Sequence, residues 1–413
     1  MRELEYTSQE ESKEYLSCYD GYIVGEELWF SNVSANGLFR MNMKTEEVKF
    51  VKTFPNELLE HMALHKRVIS YKDQLFFFAE AGHGVHKYDM TTGEMQYFEQ
   101  AYHRVEFLKT ADVIVKEKYV WVIPQHIQHE LFRFDMETNE IVHYPQFNQT
   151  VQPYVKDEQI PFCIRVAEKD GRAWFAINNT NYIMSWEFTS FDVTVYELEL
   201  DQLYGVFSCA DKLWVTRVGD SCVYQWNPDT NKMIPFTNEH ITVGLGELPY
   251  FCMVSLEEKT FILETNTLDI YQLELENKRV GSKIELPAGY KQVNDIKKDW
   301  PHYQRAVVMK DKLYIFPVVG NMMLVFDGLD WKGIKLKRPD EWKQELVYRE
   351  KVLLPYIEIA CQNQFIIQEE HDPNLLENYI SIIENEEFTN NNGPKQIVGE
   401  RIFDCLMKAK NIG

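Results

Sequence analysis

Two pairs of histidines with HxxH spacing, His83 with His86 and His126 with His129, are among the residues of this chain best suited to chemistry. On a helix this spacing would let two imidazoles bind one transition metal. Here the flanking residues alternate between apolar and polar, which is typical of strands and hairpin loops. His86 also occupies the slot that Phe132 fills in the next repeat, so we predict a core role for it. We expect no metal, and His83 and His129 are the candidates that remain if one binds.

A catalytic interpretation rests on five polar residues: His126, His83, Glu80, Glu264 and Arg217. An imidazole base, a carboxylic acid and a guanidinium that stabilises negative charge would suit a lyase or hydrolase acting on a sugar or a small ester. The chain has no Gly-rich phosphate loop, no GxSxG elbow and no Cys/His zinc spacing, so we expect no cofactor. Catalysis would require the fold to bring a histidine and an acid together.

The elements that must position these residues are revealed by an internal repeat. Seven apolar triplets begin at positions 28, 75, 120, 173, 213, 260 and 313, which are 47, 45, 53, 40, 47 and 53 residues apart. A polar turn residue follows each triplet after 14 residues in six units and after 15 in the third: Asn42, Asp89, Asp135, Glu187, Asn227, Glu274 and Asp327. A period of about 40 to 50 residues with strand-like alternation indicates four-stranded units that stack around a channel.

This pattern predicts an all-β chain, a β-propeller of about eight four-stranded blades, within residues 1–390. The eighth copy, at residues 356–384, is degraded, so seven blades with an appended hairpin is the alternative. Residues 391–413 are predicted to form a linker and a short C-terminal amphipathic helix, in which Val398, Ile402 and Leu406 share one face. That helix either packs on its own domain or docks a partner.

The turn Asp89-Met-Thr-Thr-Gly-Glu-Met and its copies at Asp135 and Asn227 resemble the turns of kelch-type and related bacterial β-propellers. The resemblance implies the fold and no particular activity. The chain lacks the paired glycines of kelch repeats and the Gly-His and Trp-Asp signatures of WD40 repeats.

Long connections and the B–C loops are expected on one common face, where function usually lies on a rigid scaffold. We predict a binding surface there that contains Tyr154, Phe162, Asn179, Arg217, Tyr250, Trp300 and Tyr303. Aromatic rings with polar neighbours suit a small carbohydrate, a peptide or a protein partner; the other interpretation is that these rings plug the tops of the blades. Of the two functions, non-catalytic binding is our prediction and the lyase or hydrolase is the alternative.

The charge balance limits the class of partner. The formal net charge is -21 and the pI is about 5.0, which argues against nucleic acid and anionic membranes because both attract basic surfaces. The first residues contain no apolar stretch that resembles a signal peptide, and the seven cysteines show no CxxC spacing. We therefore expect a cytoplasmic protein.

Overall fold

The computed structural model describes residues 7–342, apart from 9–10, 12–13, 58–61, 102–108, 159, 245–246, 266, 268 and 293–302. The chain divides into two compact units, residues 1–339 and 340–413. The predicted eighth copy, the linker, the C-terminal helix and the boundary at residue 390 lie outside the described residues. Within the described part, no helix is long and apolar enough to cross a membrane.

Seven antiparallel sheets, each of four consecutive strands, make up the first unit. Blades 1 to 4 contain β1 Gly21–Val24, β2 Glu27–Ser31, β3 Leu38–Asn42, β4 Val48–Lys52; β5 His65–Tyr71, β6 Gln74–Ala79, β7 Val85–Asp89, β8 Met95–Phe98; β9 Thr110–Lys116, β10 Tyr119–Pro124, β11 Phe132–Asp135, β12 Ile141–His143; and β13 Val166–Lys169, β14 Arg172–Ala176, β15 Tyr182–Glu187, β16 Val193–Glu197. Blades 5 to 7 contain β17 Leu203–Cys209, β18 Lys212–Arg217, β19 Val223–Asn227, β20 Lys232–Phe236; β21 Tyr250–Leu256, β22 Lys259–Glu264, β23 Ile270–Glu274, β24 Arg279–Lys283; and β25 Tyr303–Met309, β26 Lys312–Pro317, β27 Met323–Phe326, β28 Trp331–Ile334. The α-helix α1 Pro145–Val151 and the 3-10 helices Glu99–Ala101 and Gln152–Tyr154 lie in the connections.

Hydrophobic cores lie between neighbouring blades. Side chains alternate between the two faces of each strand, so both faces of a blade are apolar and need a neighbour to cover them. Trp121 of β10 packs edge-on against Trp186 of β15, with ring centroids 4.9 Å apart, and Phe261 of β22 packs against Phe326 of β27 at 5.2 Å. The triplets that reveal the repeat form the buried second strand, strand B, of every blade.

The ring closes with seven blades, which corrects the count of eight and supports the seven-bladed alternative. Leu16 N donates to Leu336 O (2.8 Å) and Cys18 N donates to Pro317 O (2.9 Å), so the start of blade 1 runs along blade 7. Asp20 is also paired with Arg305 at 2.8 Å. Because blades 1 and 7 are in direct contact, no space remains between them for another blade.

The predicted turns join strands C and D. Asn42 Oδ1 accepts hydrogen bonds from the backbone N–H groups of Lys44 (2.9 Å) and Thr45 (3.0 Å). Asp89, Asp135, Asn227 and Asp327 make the same pair of bonds in their blades. A side-chain oxygen that accepts two backbone N–H groups fixes a tight turn, which explains the regular offset between triplet and turn residue.

Candidate functional site

A ring of seven equivalent residues surrounds the central channel. In every blade one residue of the innermost strand, strand A, pairs with the third residue of the triplet, for example Gly21 with Phe30 and Val68 with Phe77. In each of the other five blades, the third triplet residue pairs with the equivalent residue of strand A. The residues just before these partners form what we call the channel ring: Asp20, Arg67, Asp112, Arg165, Gly205, Cys252 and Arg305.

Charges alternate around most of the channel ring. Arg305 pairs with Asp20 at 2.8 Å, and Arg67 pairs with Asp112 at 2.6 Å. Asp20 Oδ2 also accepts the backbone N–H of Val68 at 3.1 Å, which joins blade 1 to blade 2. The series Arg, Asp, Arg, Asp, Arg runs from blade 7 through blade 1 to blade 4. These ion pairs and this hydrogen bond tie four blades together, from blade 7 through blade 1 to blade 3.

The remaining two ring residues, Gly205 and Cys252, are small, and the Arg165 side chain extends across the space beside them. Its Nε donates to Phe251 O at 3.0 Å and its Nη2 donates to Gln304 O at 2.7 Å. The guanidinium carbon lies 3.8 Å from the centroid of the Phe251 ring. Blades 6 and 7 are not neighbours of blade 4, so this side chain crosses the channel.

Burial and charge act in opposite directions on the titrating groups of the ring. Burial would raise the pKa of Asp112, but Arg67, Arg305 and Arg165 outweigh it and hold that pKa below the ordinary value. Burial lowers the pKa of Arg165 and of Arg305. The surrounding guanidiniums therefore favour the ionised form of Asp112.

A second set of equivalent residues lies just after strand B, on the face of the propeller that carries the B–C loops. Four of them are polar and nearly fully buried: Glu80 (2% exposed), Gln125 (4%), Asn178 (7%) and Thr265 (4%). Their backbone N–H groups donate to Leu64 O, Lys109 O, Phe162 O and Pro249 O at 2.8 to 3.0 Å, each at the same offset within its repeat. The blades are related by rotation about the channel, so these four residues occupy equivalent positions around it at this face. We call them the mouth residues.

Each mouth residue carries a polar atom that lacks a hydrogen-bond partner in the described part of the chain: Glu80 Oε2, Gln125 Oε1, Asn178 Oδ1 and Thr265 Oγ1. The other carboxylate oxygen of Glu80 accepts from Lys66 Nζ at 2.9 Å, and Asn178 Nδ2 donates to Pro161 O at 2.8 Å. Burying an unpaired acceptor costs about 1–3 kcal/mol, so such atoms are uncommon in a folded core. In four blades, the channel entrance therefore contains a buried polar atom without a hydrogen-bond partner among the described residues.

The candidate catalytic residues lie in separate contacts. His83 Nδ1 is 2.8 Å from Glu57 Oε2, and Glu80 pairs with Lys66. Arg217 pairs with Asp201 at 3.0 Å.

Glu264 and His126 complete the set of five. Glu264 Oε2 accepts from Thr267 Oγ1 at 2.6 Å, and burial raises the pKa of that carboxyl. His126 is buried, and burial lowers its pKa to about 4, so its imidazole is neutral at pH 7. Glu80, Glu264 and Arg217 are thus each paired with a different partner: Lys66, Thr267 and Asp201.

Three of the candidate ligand-binding aromatics are buried in the blades. Phe162, Tyr250 and Tyr303 are 0–1% exposed. Tyr250 OH donates to Ser221 O at 2.7 Å, and Tyr290 OH donates to Tyr303 OH at 3.2 Å. In this structure these rings plug the tops of blades, which is the other interpretation that the sequence left open.

Other candidates lie at the surface or outside the described residues. Tyr154 is half-buried, with its ring 5.0 Å from that of Tyr182, and Asn179 is exposed. Asn179 O accepts from Lys156 Nζ at 3.0 Å, which links the loop of Tyr154 to the B–C loop of blade 4. Arg217 lies in blade 5, and Trp300 lies outside the described residues.

Among the described residues, no group of three or more His, Cys, Asp and Glu side chains is placed to hold a metal ion, so neither histidine pair belongs to such a group there. The core role predicted for His86 is confirmed, since it is fully buried. Its Nε2 lies 2.9 Å from Pro55 O, its Nδ1 lies 2.9 Å from His65 Nε2, and His65 Nδ1 lies 2.9 Å from Ser31 Oγ. This buried chain of hydrogen bonds joins blades 1 and 2.

Comparison with known proteins supports the fold alone. No protein-family model matches the chain, and no curated protein matches it. A catalytically inactive virginiamycin B lyase from Staphylococcus aureus, solved with quinupristin, has a TM-score of 0.53 at 12% identity, with 77% of this chain and 96% of that chain covered. PorZ of the type-IX secretion system of Porphyromonas gingivalis has a TM-score of 0.51 at 11% identity, covering 82% of this chain and 39% of that chain. The kelch-like resemblance therefore holds at the level of a β-propeller.

Proposed function

We propose that this chain is a non-catalytic binding propeller that receives a glycan, peptide or protein partner at the channel mouth. The observation that carries the proposal is the set of four mouth residues, each with a buried polar atom that has no partner in the described part of the chain. A ligand that supplies hydrogen-bond donors would satisfy these atoms, and polar groups that converge at one opening are typical of ligand sites.

The mouth residues suit binding better than turnover. Three of them, Gln125, Asn178 and Thr265, are neutral side chains that neither donate nor accept a proton near pH 7. General acid–base catalysis needs a base and an acid within hydrogen-bond reach of one substrate atom. Glu80 and Glu264 are held by Lys66 and Thr267, so the acids are spread over different contacts.

Binding would be tested by screening the full chain against immobilised glycans and peptides. The variants Gln125→Met and Thr265→Val remove unpartnered oxygens while keeping side-chain volume, so both should fold. We expect each to weaken the binding of a ligand by about tenfold, which is the effect of losing one hydrogen bond to a buried group. Gln96→Met, at an exposed position on strand β8, is the matched control and should bind as the parent does.

Turnover is checked on the same ligands. After prolonged incubation, mass spectrometry should recover each bound ligand with unchanged mass. A cleaved or eliminated product would contradict the proposal and support the lyase or hydrolase alternative. The cytoplasmic location, and the exclusion of nucleic acid and membranes, remain predictions.

A further inference from the structure

The channel mouth also contains a buried cation that lacks a counter-ion in the described part of the chain. The Lys109 side chain belongs to a residue that is 4% exposed, and its one hydrogen bond among the described residues goes to Ala81 O at 3.5 Å. Burial lowers the pKa of this ammonium, although Glu57 and Glu80 oppose the shift. A buried ammonium with unused donors is costly, so it needs an acceptor from elsewhere.

Lys109 lies directly beside two of the mouth residues. Its backbone N–H donates to Glu80 O at 2.8 Å, and its carbonyl accepts the N–H of Gln125 at 3.0 Å. The main chain of Lys109 thus joins the two residues that carry the unpartnered oxygens Glu80 Oε2 and Gln125 Oε1, and the Glu80 carboxylate is close enough to act on the pKa of the Lys109 ammonium. One ligand that satisfies all of them must carry an anionic acceptor and hydroxyl donors together.

The local charges favour a single negative charge on that ligand. Lys66 and Lys109 supply two cations, and Lys66 is paired with Glu80 at 2.9 Å. The nearby carboxylate of Glu57 is bound by His83, through Nδ1 at 2.8 Å and the backbone N at 2.5 Å. The guanidinium of Arg67 is likewise occupied by Asp112. Lys109 is therefore the ammonium without an ion pair here, and the Glu57 and Glu80 carboxylates near it would repel a dianion such as phosphate more than a monoanion.

We infer that the channel mouth binds a sugar acid, with its carboxylate on Lys109 and its hydroxyls on Glu80 and Gln125. The inference rests on the proposed function and names its ligand class. A free carboxylate carries one negative charge at pH 7. The vicinal hydroxyls of a uronic acid can donate hydrogen bonds to the buried oxygens. A neutral sugar would leave Lys109 unpaired, so the site should discriminate between the acid and its neutral counterpart.

The experiment is calorimetric titration of the full chain with D-glucuronate, D-galacturonate, D-glucose and inorganic phosphate. We expect one of the two acids to bind at least about tenfold more tightly than glucose and phosphate. Glucose lacks the carboxylate that would bond to Lys109, and phosphate is repelled by the Glu80 carboxylate. Equal affinity for glucose and the acids, tighter binding of phosphate, or no binding of either acid would overturn the inference.

The variant Lys109→Met tests the contact itself. It removes a buried charge and keeps the length of the side chain, so it should melt at or above the temperature of the parent. We expect it to lose the preference for the acid by about tenfold or more. Lys232→Met, at an exposed position on β20, is the control and should retain that preference. Unchanged acid affinity in Lys109→Met would refute the contact.

These outcomes separate the two proposals. If a peptide or neutral glycan binds and Gln125→Met weakens it, while no acid binds, the sugar acid is excluded and the binding function stands. If the acid binds but is converted to a product, the ligand class stands and the non-catalytic function is wrong.

Discussion

On the face that carries the C–D turns, five blades close the outer hairpin with a side-chain oxygen that accepts two backbone N–H groups. On the opposite face, four blades end strand B with a buried polar atom that has no partner in the described part of the chain. Both faces use the same strands and the same backbone geometry. The turn face is thus repeated and locally satisfied, whereas the mouth face varies from blade to blade and is left incomplete.

This difference separates residues that maintain the fold from residues available for a partner. A turn such as that of Asn42 satisfies its own donors and needs nothing else. The channel ring lies between these extremes, since Arg67 and Asp112 satisfy each other across two blades. We therefore expect stability to depend most on the ring, and ligand binding to depend on the mouth.

The largest effect is expected from breaking the channel ring. Asp112→Ala would leave Arg67 buried without its carboxylate, which typically costs about 3–5 kcal/mol of unfolding free energy. Urea unfolding monitored by tryptophan fluorescence measures the loss. The double variant Arg67→Met with Asp112→Leu should recover most of it, because well-packed apolar residues can replace a buried ion pair.

The turn face supplies the control for that experiment. Asp229→Ala changes an exposed turn residue and should leave the urea midpoint close to that of the parent. A cost for Asp112→Ala no greater than that of Asp229→Ala would mean that the ring does not hold the blades together.

A smaller loss of stability is expected at low pH, and it should come from buried histidines. Burial lowers the pKa of His126 to about 4 and also lowers that of His86. The unfolded chain binds these protons first, so the stability that the neutral imidazoles provide is complete above about pH 6.5 and is lost as the pH falls toward 4.

Urea midpoints at pH 7, 6, 5 and 4.5 would measure the slope. His126→Asn, which cannot take up the proton, should have a flatter profile than the parent in this window. The same slope in both proteins would show that His126 does not govern the acid response.

Much of the fold could be predicted from the sequence, because its determinants recur locally. The triplets and the turn residues of all seven blades were visible as fixed spacings, and the seven-bladed alternative followed from them. The count of eight was wrong because closure depends on long-range pairing: Asp20 and Arg305 meet although 285 residues separate them.

The site was harder to predict. The channel ring lies eight residues before each triplet, and the column Asp20, Arg67, Asp112, Arg165, Gly205, Cys252, Arg305 can be read from the sequence once the triplets are aligned. Its charges are hard to recognise as a group because they lie at strand A, whereas polar functional residues are expected in loops. Glu80 is among the predicted catalytic candidates, whereas Lys109, Asn178 and Thr265 are not singled out by the sequence. The sequence alone could not show that their polar atoms remain unpaired after burial.

The smallest change in unfolding free energy is expected on the turn face. It tests whether the turns are stabilised by their own hydrogen bonds alone. Asn42→Ala removes the oxygen that accepts from Lys44 and Thr45, which should cost about 1 kcal/mol of unfolding free energy. Asn42→Asp keeps the acceptor but replaces the Nδ2 donor to Glu27 Oε1 (3.5 Å) with a like charge, so it should recover only part of the loss, and Asn42→Asp with Glu27→Gln should recover more. Urea unfolding of these variants gives the values. Because the turn has no connection to the channel mouth, ligand binding should be unchanged in all of them, and weaker binding in Asn42→Ala would mean that the two faces are coupled through the blade.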